Sequence, residues 1–378
     1  MTIENFWRAA ARSHEVVPSK MDRRSILKGA GSLAALGAAM GLAPGLITDA
    51  LAQGAKGQGR AANSDPATRG LAQEKLTGTH LVLLGTRGGP GVDLKRAETS
   101  SVVMVDDTPY LIDCGYGTLR DLVECGIGYL QLSTIFFTHL HDDHTADLPA
   151  LLTHQWTGSR TDPTDVYGPY GTQAMVEGAL AFFKANTEIR VVDEGRKIRP
   201  KALMHGHDLG ATAKPAMAYK DDKVTVTSIE NAHFPPRSKA KMPYRSLAYR
   251  FDTKDRSIVF SGDSAYTENL VELARGADVY VSEIMSQRIY DQMVKLAKEE
   301  AAKGNPNNMY RHVADTHSTP ADVGRTAREA KVKTLVLNHL IPGATNIGRL
   351  NTPVTTFIDG VRKEFDGEII VGQDLMVI

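Results

Sequence analysis

Cysteine is nearly absent: the chain of 378 residues contains two, Cys114 and Cys125. That count excludes a disulfide framework and a cysteine-built zinc module. Net charge is absent as well, with 44 Lys+Arg against 44 Asp+Glu, so there is no cationic excess of the kind that displaces counterions from nucleic acid. A long uninterrupted apolar run is also missing. The best candidate, Gly29 to Ile47, is broken by glycine and proline and is too glycine-rich for a membrane span. What is present is a globular composition, 42% hydrophobic and 23% charged, which rules out a disordered tail, a collagen or a coiled coil. The length suits one large or two ordinary domains, and the 12 histidines are the promising ligands.

Residues 1–52 differ from the rest. Arg23, Arg24 and Lys28 precede the Gly29–Ile47 run, and the small-x-small site Ala50-Leu51-Ala52 follows it, which are the three parts of an export signal. Met21-Asp22-Arg23-Arg24-Ser25-Ile26-Leu27-Lys28 resembles the twin-arginine variant, with Asp22 and Ile26 departing from the usual Ser/Thr and Phe. The alternative is an amphipathic or membrane-anchoring helix. The export reading predicts cleavage near Ala52, passage through the twin-arginine machinery and a periplasmic location. Residues 1–52 carry six basic and four acidic groups, so cleavage leaves 38 basic against 40 acidic. Residues 53–76, rich in Gly, Ala, Gln and Ser, read as a flexible lead-in. Residues 77–378 are then the folded domain.

Within it, strands are expected at His80–Leu84, Ser100–Val105 and Thr108–Ile112, with Asp106-Asp107 as a hairpin turn. A glycine loop from Gly85 to Gly91 lacks the Walker and dinucleotide-binding patterns and reads as a turn beside the site. A helix at Thr118–Cys125, a buried strand at Ser133–Thr138, a short strand at Val166-Tyr167 and a helix at Ala174–Asn186 follow. The second half repeats this grammar, with strands at Lys223–Ile229, Ser246–Phe251, Ser257–Phe260, Val279–Val281, Thr334–Leu337 and Glu368–Val371. Its helices fall at Glu268–Arg275, Gln287–Lys303 and Pro320–Ala330. Meander strands followed by βα units, twice over, predict two face-to-face sheets with helices outside, a four-layer αβ/βα sandwich.

The chemistry concentrates at Thr138-His139-Leu140-His141-Asp142-Asp143-His144, four ligands in six residues at the end of a buried strand. His139 and His141, two apart, can point the same way from an extended segment, while Asp143 and His144 can address a second centre. One ion could not comfortably use all four in so tight a loop, so two adjacent metals follow. A surface histidine cluster or a helix-capping Asp is the bland alternative.

The cluster and its context resemble the metallo-β-lactamase superfamily, in particular the branch of ribonuclease Z and the zinc-dependent arylsulfatases. The shared segments are Gly85-Thr86-Arg87-Gly88-Gly89-Pro90, Leu111–Gly115, Ile135–His144, Val166–Pro169, Ser261-Gly262-Asp263-Ser264, His317-Ser318-Thr319 and Leu335–His339. The resemblance implies that His139, His141 and His233 hold one metal, that Asp143, His144 and His339 hold the other, and that Asp263 bridges them. Zinc is the first expectation, with manganese or iron as alternatives. It further implies that Asp113 orients the histidine loop and that His317, Asp143 and Glu283 have catalytic roles. Glu283 stands in Ser282-Glu283-Ile284-Met285, where ribonuclease Z carries His-Glu-Ala-Thr. His205-Gly206-His207 reads as a loop feature, and His80, His154 and His312 receive no role.

These residues predict a hydrolase that cleaves a small anionic ester, an aryl sulfate or a phosphodiester, with a metal-bridging hydroxide. The 30 residues between His233 and Asp263 leave no room for the long arm with which ribonuclease Z proteins hold the tRNA elbow. With export and a slightly acidic mature chain, no nucleic acid partner is expected. The stretch Gln287–Tyr310 is expected to roof the site, with Trp156, Tyr170, Tyr244 and Met285 as walls and Arg237 or Arg245 as anion clamps. The competing readings are a ribonuclease Z-type tRNA 3′ processing endonuclease, a lactonase or β-lactamase, and a non-catalytic periplasmic zinc-binding protein. Homodimerisation is left open.

Overall fold

Near-continuous apolar runs mark strands that are buried on both faces, such as Ser100–Val105 and Val279–Met285, as strands sandwiched between layers require, with successive side chains serving opposite faces. The computed structural model describes residues 77–92, 94–342 and 353–378. The expected export signal and lead-in lie outside the described residues. No helix among the described residues is long and apolar enough to cross a membrane.

The first half comprises β1 (Thr79–Gly85), β2 (Ser100–Val105), β3 (Thr108–Ile112), α1 (Thr118–Glu124), β4 (Thr134–Phe136), α2 (Asp142–Thr145), α3 (Leu148–Thr157), β5 (Thr164–Pro169), α4 (Thr172–Phe182), α5 (Lys184–Asp193) and β6 (Met204–Leu209). The second comprises β7 (Ala216–Lys220), β8 (Thr225–Glu230), α6 (Pro236–Lys239), β9 (Leu247–Asp252), β10 (Ser257–Phe260), α7 (Glu268–Leu273), β11 (Val279–Met285), α8 (Gln287–Ala302), α9 (Met309–Thr316), α10 (Pro320–Ala330), β12 (Thr334–Ile341), α11 (Val354–Arg362), β13 (Glu368–Val371) and β14 (Met376–Val377). One sheet has the order β14-β1-β2-β3-β4-β5-β6 and the other β13-β12-β11-β10-β9-β8-β7. Each has an antiparallel meander that turns parallel where βα units begin, at β3–β4 and at β10–β11.

Three buried clusters separate the layers. Leu81, Leu83, Val103, Tyr110 and Phe136 of one sheet meet Tyr249, Phe251, Ile258, Phe260 and Val336 of the other. The alternate residues Val82 and Leu84 face outward and pack with Leu122, Leu148, Leu152 and Trp156 of the helices on that side. Val259, Tyr280 and Leu335 do the same with Leu270, Val323, Ala327 and Phe357. This is the expected α/β sandwich.

Two local expectations need correction. The helix predicted over Ala174–Asn186 ends at Phe182, and Phe183 joins it to the separate α5. The loop predicted at His205-Gly206-His207 is the edge strand β6, paired in parallel with β5. It lies flush against α4, where a Cβ on Gly206 would come within 2.6 Å of the Gln173 backbone. Its glycine and two histidines interrupt the apolar run that marks the central strands.

Candidate metal centre

The parallel strands β3 and β4 end side by side, and Asp113 uses that adjacency. Directly after β3 it adopts a positive φ of 58°, a region asparagine, aspartate and histidine enter more readily than other side chains. Its Oδ1 accepts from the Thr138 backbone N–H at 2.8 Å and its Oδ2 lies 2.9 Å from His144 Nδ1. A carboxylate on one strand end therefore sets the start of the histidine loop and the orientation of its last imidazole, leaving His144 Nε2 directed into the site. The short helix α2 begins after His141 and carries Asp143 and His144. The glycine loop lies beside them as expected, since the Gly89 N–H donates to Asp143 Oδ2 at 3.0 Å.

The second half supplies three more donors from the ends of its strands. His233 follows β8, and its N–H donates to Asn231 Oδ1 at 3.2 Å. Asp263 follows Gly262, whose φ is 58° and whose missing Cβ would meet the Thr138 Cβ at 2.9 Å. Glycine is required there because the two loops touch. His339 was expected to end a strand, but β12 continues to Ile341. The pairing with β11 jumps from Glu283↔Asn338 to Ile284↔Leu340, so His339 is the extra residue of a bulge. Its φ is 41°, and a bulge of this kind re-aims a side chain beside a site.

Two donor groups result. His139 Nε2 and His233 Nε2 lie 3.0 and 3.1 Å from His141 Nδ1, close to the roughly 3.3 Å edge of a tetrahedron with zinc–nitrogen bonds of about 2.0–2.1 Å. Asp143, His144, Asp263 and His339 form the other, with His339 Nε2 3.3 Å from Asp143 Oδ2 and 3.2 Å from Asp263 Oδ1. Asp263 spans both groups, its Oδ1 3.4 Å from His144 Nε2 and its Oδ2 4.0 Å from His139 Nε2. His144 Nε2 and Asp263 Oδ1 are buried without a hydrogen-bond partner. Orphaned polar atoms of that kind are costly unless something else satisfies them. The donor chemistry therefore fits two divalent ions.

Electrostatics agree with that fit. Burial, reinforced by neighbouring imidazoles, holds His139 and His233 well below the ordinary histidine range, so they are neutral donors. Burial pushes the Asp263 and Asp143 carboxyls up, but His339 and His144 outweigh it and keep both low. Anionic carboxylates remain buried there because positive charge faces them, a role that a divalent ion also fills.

Beside these groups, Glu283 Oε2 lies 2.7 Å from His317 Nδ1, and Glu283 Oε1 accepts from the Ser264 N–H at 2.5 Å. Burial opposes charge on His317, yet Glu283 and then Asp263 raise it to about 9. Burial likewise pushes Glu283 up while His317 pulls it down. The net result for Glu283 is a raised carboxyl, and a proton on the imidazole would face Asp263 as well, at 3.9 Å. Ser318 and Thr319 act structurally. Ser318 Oγ donates to the Ser264 carbonyl at 2.6 Å, and Thr319 forms a capping box with Asp322 at the start of α10.

All the expected site residues thus converge, and one histidine given no role joins them. His312, on α9, has its ring 5.2 Å from His233, 5.8 Å from His141 and 6.1 Å from His317. Burial, then the imidazoles of His317 and His141, lower it to about 4. Little in the order of residues marks it: His317 is five residues on, but His141 and His233 lie far away in the chain. The expected walls are only partly right. Trp156 and Met285 are buried in the fold, whereas Tyr170 and Tyr244 are exposed and pair at 5.9 Å. Arg237 is bound to Asp315 at 2.8 Å and Arg245 lies 3.5 Å from Glu230, so neither stands as a free anion clamp. A recess of about 640 Å³ between α4, α5 and β6 lies away from these donors.

The β-lactamase superfamily domain matches residues 108–340. Ribonuclease Z of Mycobacterium bovis (strain BCG / Pasteur 1173P2) is 30% identical over 299 residues, covering 78% of this chain and 96% of that protein. Ribonuclease Z of Mycobacterium tuberculosis (strain ATCC 25618 / H37Rv) is 30% identical over 298 residues, with the same coverages of 78% and 96%. Among solved structures, the metallo-β-lactamase fold protein YhfI of Bacillus subtilis aligns with a TM-score of 0.56 at 19% identity, covering 79% of this chain and 98% of that one. The short form of human tRNase Z aligns with a TM-score of 0.54 at 22% identity and the same coverages of 79% and 98%. These two structural likenesses bear on the fold alone. The expectation that nucleic acid is no partner is overturned by the two mycobacterial relatives, whose name, ribonuclease Z, makes them RNA-cleaving enzymes. Net charge is a whole-chain sum and carries no information about a local phosphate-binding cleft. The chain belongs to the β-lactamase superfamily and stands with its ribonuclease Z-like members.

Proposed function

We propose that this member of the superfamily is a metal-dependent phosphodiesterase of the ribonuclease Z type, acting on RNA. The observation that carries the reading is the meeting of a two-group His/Asp donor set with the Glu283–His317 pair, in a chain alignable with curated ribonucleases Z along nearly their whole length. The aryl sulfate reading is set aside in favour of the phosphodiester.

When bound, a pair of divalent ions, zinc in the first place, would supply an acidified water and a Lewis acid for a phosphoryl oxygen. His139, His141 and His233 would hold one ion and Asp143, His144 and His339 the other, with Asp263 between. As water adds to phosphorus and the bond to the leaving oxygen breaks, that oxygen takes a proton from His317 Nε2. Glu283 holds Nδ1–H of the same ring, which fixes its orientation and stabilises its charged form. The Tyr170–Tyr244 pair lies next to Leu140 of the histidine loop, since a Cβ on Gly171 would touch Tyr244 at 2.9 Å and Leu140 at 3.1 Å. Exposed aromatic faces in that place suit the stacking of unpaired bases.

The test is turnover by the zinc- or manganese-loaded protein on bis-p-nitrophenyl phosphate, a precursor tRNA, a short single-stranded RNA, p-nitrophenyl sulfate and nitrocefin. Cleavage of the phosphodiester and at least one RNA is expected. Turnover of the sulfate or nitrocefin alone would overturn the reading. Export by the twin-arginine route is a separate proposal supported by Arg23, Arg24 and Ala50-Leu51-Ala52. A folded reporter fused to residues 1–60 should stay inside cells when Arg23→Lys and Arg24→Lys are combined.

A further inference from the structure

The helix α9 borders the donor groups and brings His312 to them. Asn308 caps the start of α9 by accepting from the Arg311 N–H at 3.0 Å. Asp315 on the same helix is held by Arg237 at 2.8 Å and by Arg311 at 3.2 Å, so α9 is fixed to the segment that follows His233. Thr316 Oγ1 donates to the His312 carbonyl at 2.7 Å. His312 is thus presented from a helix anchored on both sides.

Its ring is half-buried, whereas His139 and His233 are fully buried. One of its nitrogens lies within 4.8 Å of donor atoms of both His233 and His317, and these three could by themselves hold an ion, but His312 is not part of the His139–His141–His233 group or of the Asp143–His144–Asp263–His339 group. Neither ring nitrogen has a hydrogen-bond partner among the described residues. An imidazole outside both donor sets, unpartnered, and bordering both a ligand histidine and the proton-donating histidine faces the volume in which a substrate must sit. Were it a further ligand of the imidazole trio, it would close the position that a catalytic centre keeps open.

We propose that His312 is a catalytic residue that donates a hydrogen bond to a non-bridging oxygen of the scissile phosphate, orienting the leaving oxygen toward His317. This rests on the phosphodiesterase reading for its substrate, but the binding of a phosphate oxyanion by His312 can be tested without turnover. No covalent step is assigned to His312.

The experiment uses the full chain loaded with zinc, as wild type, His312→Ala and His312→Gln. Three quantities are read: metal per chain, the affinity for inorganic phosphate by calorimetry, and kcat and KM for bis-p-nitrophenyl phosphate. Both variants should keep the wild-type metal content, because His312 is not a ligand. His312→Ala should bind phosphate about tenfold more weakly, the size of one hydrogen bond to a charged acceptor. His312→Gln, which keeps an N–H donor and serves as the second test should the alanine variant fail to fold, should recover part of that loss. Loss of metal from His312→Gln, or phosphate affinity within twofold of wild type in both variants, would overturn the proposal. Absence of phosphodiester turnover in the wild type would sink the phosphodiesterase reading instead, leaving the phosphate titration to decide on His312.

Discussion

The imidazole trio and the mixed carboxylate–imidazole group lie side by side, yet they are built on different physics. His139, His141 and His233 are uncharged donors kept neutral by burial and by one another, and His141 is only half-buried. Asp143, His144, Asp263 and His339 are all buried and bring two carboxylates into the same space. The half-open neutral group is bordered by α9 and its His312. The deep group is braced from behind by Asp113 and, through a bulge, by the β11–β12 pairing. The difference teaches that one group can face a substrate while the other anchors charge, with Asp263 reaching both.

Removing the shared member is the most drastic way to break that division. Asp263→Ala should empty both groups and bring activity to background. Elemental analysis finding one ion retained would show that the two groups are independent. Next in size, His317→Ala should keep both ions and lose rate by roughly 10²–10⁴-fold. Loss of an ion would move His317 into the donor set. Asp113→Ala sharpens the comparison, because Asp113 touches His144 directly and His139 only through Thr138. Metal affinity of the deep group should fall about 10–100-fold, more than that of the trio, as read by stepwise chelator competition. Equal weakening of both would show that the Thr138 contact matters as much as the His144 contact. The smallest effect is expected for Thr319→Ala, which removes a helix cap next to His317 at a cost of about 1 kcal/mol. A lower Tm with unchanged metal content separates the structural part of His317-Ser318-Thr319 from its chemical part.

Legibility in the sequence follows the distance over which each feature is encoded. The loop from His139 to His144 is one contiguous text after an apolar strand, so its ligands stand out. The central strands show near-continuous apolar runs, and the sandwich follows from their grouping. The edge strand β6 does not, because Met204-His205-Gly206-His207-Asp208-Leu209 has a glycine pressed against α4 where an apolar residue would have signalled a strand. His339 was placed correctly in the site but wrongly in its strand, since a bulge exists only in relation to its partner strand. The exclusion of nucleic acid failed for a related reason: the sum of charges is blind to where they lie.

Composition, the histidine loop and the spacing of strands were enough to expect a two-sheet α/β sandwich with a metal-binding loop, and the family resemblance added His233, Asp263 and His339 to its donors. The loop and the strands are local features, each written within a few turns of chain. The place of His312 beside the donors, the bond between Asp113 and His144 and the loss of Arg237 to Asp315 emerged only on folding. Each depends on contacts between residues brought together by sheet pairing and helix packing from distant parts of the chain.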